Sequence, residues 1–130
     1  MATLSATLIL SSTDATSNPL NLNLTDSLTV TDPIIGLSKI SASTTGGSTI
    51  ICASASSIRY LYVKHTGVDE NDAAVTSTLE VEIEDDKSFG ELSAGEFMFV
   101  PIGRTGGSVA VQLEASANTI VAEYAFFTKG

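Results

Sequence analysis

The sequence predicts an all-β fold: a single antiparallel β-sandwich, jelly-roll-like, spanning residues 1–130. Three observations predict it. Apolar and polar residues alternate with period two along most of the chain, which sends successive side chains to opposite faces of a strand. The alternating runs are short and evenly spaced, and the gaps between them carry Gly, Pro, Asn and Asp. No stretch of ten or more residues shows an apolar stripe at helical spacing. Short strands at even intervals with turn signals belong to sandwiches and jelly rolls. A small closed barrel is the alternative architecture.

The runs follow in order. ATLSATLIL sets Leu4, Ala6 and Leu8 against Thr3, Ser5 and Thr7. After the break SSTDATSNP, LNLNLTDSLTV sets Leu20, Leu22 and Leu24 against Asn21, Asn23 and Thr25. IIGLSKISA and STIICAS are shorter and are separated by the turn signal TTGG. IRYLYVKH alternates Ile58, Tyr60, Tyr62 and Lys64 with Arg59, Leu61, Val63 and His65. STLEVEIED is the cleanest case, with Leu79, Val81 and Ile83 expected inward and Glu80, Glu82 and Glu84 outward. EFMFVPI, SVAVQLEAS and NTIVAEYAFFTK complete the set, with Val109, Val111 and Leu113 inward. The stretch EDDKSFGELSAGE reads as a break. Nine or ten strands are expected.

Two runs carry an excess of apolar residues. In GELSAGEFMFVP, Gly95 suits a turn position with positive φ, and Leu92 can tuck beneath that turn. Phe97 and Phe99 then share one strand face, and Met98 and Val100 the other. A strand apolar on both faces is covered on both. EYAFFTK repeats the pattern, with Tyr124 and Phe126 on one face and Phe127 on the other. Such surplus predicts a homo-oligomer, a trimer in the first instance, or a chain docked on a partner through Phe97–Val100 or Tyr124–Phe127. A loop folding over these residues is the alternative.

Charge and composition exclude several classes of function. The chain holds 15 acidic and 6 basic residues, for a net charge of −9. Lys39, Arg59, Lys64, Lys87, Arg104 and Lys129 are scattered singly, whereas phosphate backbones are held by clustered cations. Nucleic acid is therefore not an expected partner. The start of the chain has neither a basic region nor a long apolar stretch, so neither a secretion signal nor a membrane span is expected. Synthesis in a cytoplasm follows, and NLT at Asn23–Thr25 is a glycosylation sequon in spelling only.

Reactive constellations are missing. Cys52 is the single cysteine, so no intrachain disulfide forms, and its apolar run predicts a buried, inert thiol. His65 is the single histidine and is expected to be solvated or to cap a strand end. Structural zinc would need a Cys/His cluster. The acidic runs GVDENDA and EIEDDKS lack the ligand spacing of a dedicated calcium loop and read as solvated turns. TGG at Thr45–Gly47 and Thr105–Gly107 is not followed by the Lys of a phosphate loop. Tyr60 and Tyr62 share a face and could form a small sugar platform, but packing is the default for tyrosines on a half-buried strand. No catalytic, cofactor-binding or metal-ligating residue is assigned, no cofactor is expected, and an enzyme is not expected.

The segments TLSATLILSSTDATSNPLNLNLTDSLTVTDP, IRYLYVKHTG, GELSAGEFMFVPI and VAEYAFFTKG make up about half of the chain and are spread from near its start to its end. In them the protein resembles small all-β virion structural proteins of marine tailed phages, the cyanophage type in particular. The resemblance implies a component of the virus particle, with other virion proteins (major capsid protein or tail proteins) as partners. It carries no site motif, so no functional residue transfers with it. The expected role is a capsid decoration or cement protein bound to the assembled shell. The alternatives are a tail, baseplate or fibre-associated module, and a host-surface glycan-binding module.

Overall fold

A computed structural model describes residues 2–30, 36–45, 49–52, 58–83, 87–104 and 110–127. Ten strands and no helix occur among them: β1 (Ala2–Ser12), β2 (Leu20–Val30), β3 (Ser38–Ala42), β4 (Thr49–Cys52), β5 (Ile58–His65), β6 (Leu79–Ile83), β7 (Ser88–Leu92), β8 (Phe97–Arg104), β9 (Val111–Ala115) and β10 (Ile120–Phe127). All pairings between them are antiparallel.

Eight strands build two four-stranded sheets, in the orders β3-β10-β5-β8 and β4-β9-β6-β7. Counted from β3, these are orders 1-8-3-6 and 2-7-4-5, so successive strands cross between the sheets except at the β6–β7 hairpin. Two interlocked Greek keys arranged this way are a jelly roll. The alternation that predicted the strands also fills the space between the sheets. Leu61 and Val63 of one sheet meet Leu79, Val81, Val111 and Leu113 of the other in one buried cluster. Ala42, Ile120 and Ala122 complete its other side.

Three expectations change. The segment read as a break contains β7, which pairs with β6 at the sheet edge. Gly90 disguised it, because glycine weakens a strand signal. A Cβ at Gly90 would come 2.9 Å from the Cε of Met98, so the missing side chain leaves room for that thioether. Second, β1 and β2 do not join the sandwich but pair with each other as a separate two-stranded sheet. Third, Glu82 is buried, at 1% exposure, instead of solvated. Its parity was read correctly, since it points away from Leu79 and Val81. However, β6 is an inner strand, and its neighbours β7 and β9 close over its outer face from both sides. Glu80 is half-buried for the same reason, Ile83 is only half-buried at the inner-facing end of β6, and Val109, Glu84 and the second TGG lie outside the described residues.

Candidate interaction surface

The β1–β2 hairpin is amphipathic along its whole length. Its register pairs Ala2 with Val30, Leu4 with Leu28, Ala6 with Asp26, Leu8 with Leu24 and Leu10 with Leu22. Directly paired residues lie on the same face. All the even-numbered residues therefore form one apolar face interrupted only by Asp26 and, at the loop end, by Ser12. Apart from Ile9, exposed at 62%, the odd-numbered face carries Thr, Ser and Asn, and Thr7 and Thr25 join their hydroxyls across it at 3.0 Å. In the loop, the Ser12 hydroxyl oxygen accepts from the amides of Asp14 and Ala15, at 3.2 and 2.9 Å.

The apolar face is covered at one end only. Leu28 and Val30 are buried, whereas Leu8, Leu10 and Leu24 are open, Leu24 at 57% exposure. A lone two-stranded hairpin is marginally stable in water. This one is anchored at its base, and at mid-length by a hydrogen bond of 2.8 Å from the Tyr60 hydroxyl to Asp26 Oδ2.

Between the hairpin and the outer face of the β3-β10-β5-β8 sheet lies an open groove of about 970 Å³. Leu4, Leu8 and Leu24 line it from the hairpin, and Phe97, Phe99 and Phe127 from the sheet. The strand faces follow the expected parity. Met98, Val100, Tyr124 and Phe126 pack against the core, which leaves Phe97, Phe99 and Phe127 to the outer face. Among the described residues, Phe97 is the most exposed of the large apolar side chains, at 65%. Among the described residues, the surplus apolar surface is thus met in part by the N-terminal hairpin, with Leu37 of the segment before β3 also lining the groove. Of the two segments expected to make contacts, only these outward phenylalanines remain available.

Tyr60 and Tyr62 are committed to internal contacts. The Tyr60 ring stacks on Phe99, with centroids 5.3 Å apart and planes at 19°. Its hydrogen bond to Asp26 favours the protonated phenol and raises its pKa. Tyr62 donates to Glu123 Oε1 at 2.9 Å. Desolvation first, and that hydrogen bond second, push its pKa up to about 12. Neither ring is presented as a free stacking platform.

The other singled-out residues do not gather into a reactive centre. Cys52 is buried, as expected. His65 is not solvated: it is fully buried. Its Nδ1 accepts the Gly67 amide at 2.9 Å, and its Nε2 lies 2.9 Å from the Ser77 carbonyl. An imidazole that accepts at Nδ1 and meets a carbonyl at Nε2 is the neutral Nε2–H tautomer. The ring thereby ties the end of β5 to the chain leading into β6. In the acidic turn after β5, Asp69 Oδ1 accepts from the amides of Asn71 and Ala73 at 2.8 and 3.0 Å, which makes it a turn-closing carboxylate. The run Glu84–Asp86 and Gly46–Gly47 lie outside the described residues.

These features define a class: a jelly roll carrying an amphipathic β-hairpin, with an apolar groove between the two. No protein-family model, curated protein or solved structure matches the chain. Among the described residues, no helix is long and apolar enough to cross a membrane.

Proposed function

We propose that the protein is a virion structural component, a decoration or cement protein that docks on an assembled phage shell. The observation that carries this reading is the uncovered half of the hairpin's apolar face, facing an open groove lined by Phe97 and Phe127. Covering an exposed Leu or Phe contributes about 1.5–3 kcal/mol. Leu8, Leu10, Leu24 and Phe97 together therefore offer enough to hold a docked segment after association costs are met. A protein that binds only the assembled state stabilises that state by mass action. The resemblance in the hairpin sequence and in GELSAGEFMFVPI points to the same use, as does the jelly roll, a fold shared by many capsid domains. Fold alone does not carry function, so the weight rests on the surface. The glycan-binding alternative loses its platform, because both Tyr60 and Tyr62 are engaged internally. On this reading the protein is not an enzyme and its place is the virion.

The test is sedimentation with shells stripped of the protein. The parent is expected to pellet with them. A folded Leu8→Asp/Leu24→Asp variant is expected to bind at least roughly 100-fold more weakly, since two apolar contacts are each worth more than a decade. Equal binding by the variant, or parent binding to isolated tails and not to shells, rejects the decoration role.

A further inference from the structure

The outer face of the other sheet carries an unusual arrangement of oxygen atoms. β6 pairs with β9 so that Glu80 stands opposite Glu114 and Glu82 opposite Gln112. The four side chains therefore form a two-by-two patch on one face, remote from the hairpin groove. One carboxylate oxygen from each of Glu80, Glu82 and Glu114 lies within 4.8 Å of the others. On the β7 side, Glu91 stands opposite Glu80 and adds a further acid to the row. Like charges directly opposite one another destabilise a sheet. Glu82 is 1% exposed, so its carboxylate stands at the buried centre of this row.

Gln112 supplies an independent sign. It is 7% exposed, and its amide oxygen is buried with no hydrogen-bond partner among the described residues. Buried polar atoms are almost always satisfied, so an orphan beside three carboxylates needs a reason. An amide oxygen can accept a proton donor or ligate a cation, and its cross-strand neighbour Glu82 offers only oxygens when ionised.

We infer that Glu80, Glu82 and Glu114, with the amide oxygen of Gln112, form a divalent-cation site suited to Ca²⁺. All four donors are hard oxygens, which select Ca²⁺ or Mg²⁺ over transition metals that favour nitrogen and sulfur. Size favours Ca²⁺. Two ligands across one ion are separated by at most twice the bond length, about 4.6–5.2 Å for Ca²⁺ and about 4.0–4.2 Å for Mg²⁺. The three carboxylate oxygens all lie within 4.8 Å of one another, inside the span of the larger ion, which also accepts irregular geometry where Mg²⁺ demands a near-ideal octahedron. Four protein oxygens leave the remaining positions of a six- to eight-coordinate ion to water. The ion neutralises the carboxylate row, satisfies Gln112 and crosslinks two inner strands of the jelly roll.

The test is thermal unfolding of the full chain at constant ionic strength, in chelator and in Ca²⁺ up to about 10 mM, above the weakest class of protein calcium sites. The parent midpoint is expected to rise with the logarithm of the Ca²⁺ concentration, and less with Mg²⁺. Glu80→Gln and Glu114→Gln, both at half-buried positions, are expected to lose that rise. Relieved of like-charge repulsion, they should melt in chelator at least as high as the parent. Glu70→Gln, in the exposed turn after β5, is expected to keep the full rise. A parent that does not respond to Ca²⁺, a rise retained by both patch variants, or a rise lost equally in Glu70→Gln overturns the site.

Discussion

His65 packs with Leu61 and Val63 on the inner face of β5, and its two ring nitrogens each satisfy a backbone group. Replacing it with Ala opens a cavity at a fully buried position and removes the partner of the half-buried Gly67 amide and Ser77 carbonyl. Each orphaned group costs about 1–3 kcal/mol, so His65→Ala is expected to destabilise by about 2–5 kcal/mol in denaturant unfolding. A loss below 0.5 kcal/mol, of the order of an ordinary surface change, contradicts the clamp. Tyr62 gives a pH signature. Its folded pKa of about 12 lies above the ordinary value near 10, so the folded state holds this proton more tightly. The stabilisation is fully present below about pH 10 and is lost as pH rises through about 12. Tyr62→Phe is expected to flatten the fall in stability over that interval. A parent whose tyrosinate absorbance rises wholly at the ordinary pH contradicts it. Both residues show what the sequence reveals. Alternation placed His65 on the side of Leu61 and Val63, and Tyr62 on the opposite face. Whether a given face is closed to water depends on strands distant in the chain, and so Glu82 reads as solvated, and His65 as solvated or capping, when both are buried and only the capping of the β5 end is found.

Turns were the most legible elements, because backbone geometry is encoded locally. Gly95 has φ +84°. The Glu96 amide bonds the Ser93 carbonyl at 2.9 Å, closing a four-residue turn with glycine at its third position, as a type II turn requires. The Gly95 amide also donates to the His65 carbonyl, which joins this turn to the end of β5. A Cβ at Gly95 would meet nothing within 4 Å, so Gly95→Ala isolates the backbone cost. That cost is expected at about 1–2 kcal/mol, with Gly95→Asn milder because Asn tolerates the left-handed region. Equal stability of all three proteins would mean that the turn relaxes. The edge strand β7 was illegible for the opposite reason. Its glycine serves a contact with Met98, which belongs to β8, a strand of the other sheet. The hairpin strands were legible as strands, but their alternation is of the same kind as that of the sandwich strands. Nothing local distinguishes an apolar face that meets the core from one left half-open.

At the scale of the whole molecule, strand number and facing predict a sandwich, while the jelly-roll order rests on long-range pairings such as β3 with β10. The candidate surface arises at this same scale, because it needs the hairpin and the β5–β8–β10 face together. Its electrostatics set the last prediction. Each copy carries a charge of −9, so association of like with like is opposed by repulsion that salt screens. The attractive part is apolar contact through Leu8, Leu24 and Phe97, which salt does not weaken. A homo-oligomer built on this surface, a trimer by expectation, should therefore hold or gain mass as sodium chloride rises from about 0.05 to 0.5 M. Across that range the screening length falls from above 10 Å to below 8 Å, roughly. Light scattering on the parent and on Phe97→Asp reads the outcome directly. The variant adds a charge to the most exposed phenylalanine without disturbing the core, since Met98 and Val100 carry the inward packing of β8. It should be monomeric at every salt concentration. If the parent dissociates on adding salt, ion pairs hold the copies together and the apolar surface is not their contact. If the parent is monomeric throughout, the groove is reserved for a different protein, and copies of the chain meet only where that protein arrays them.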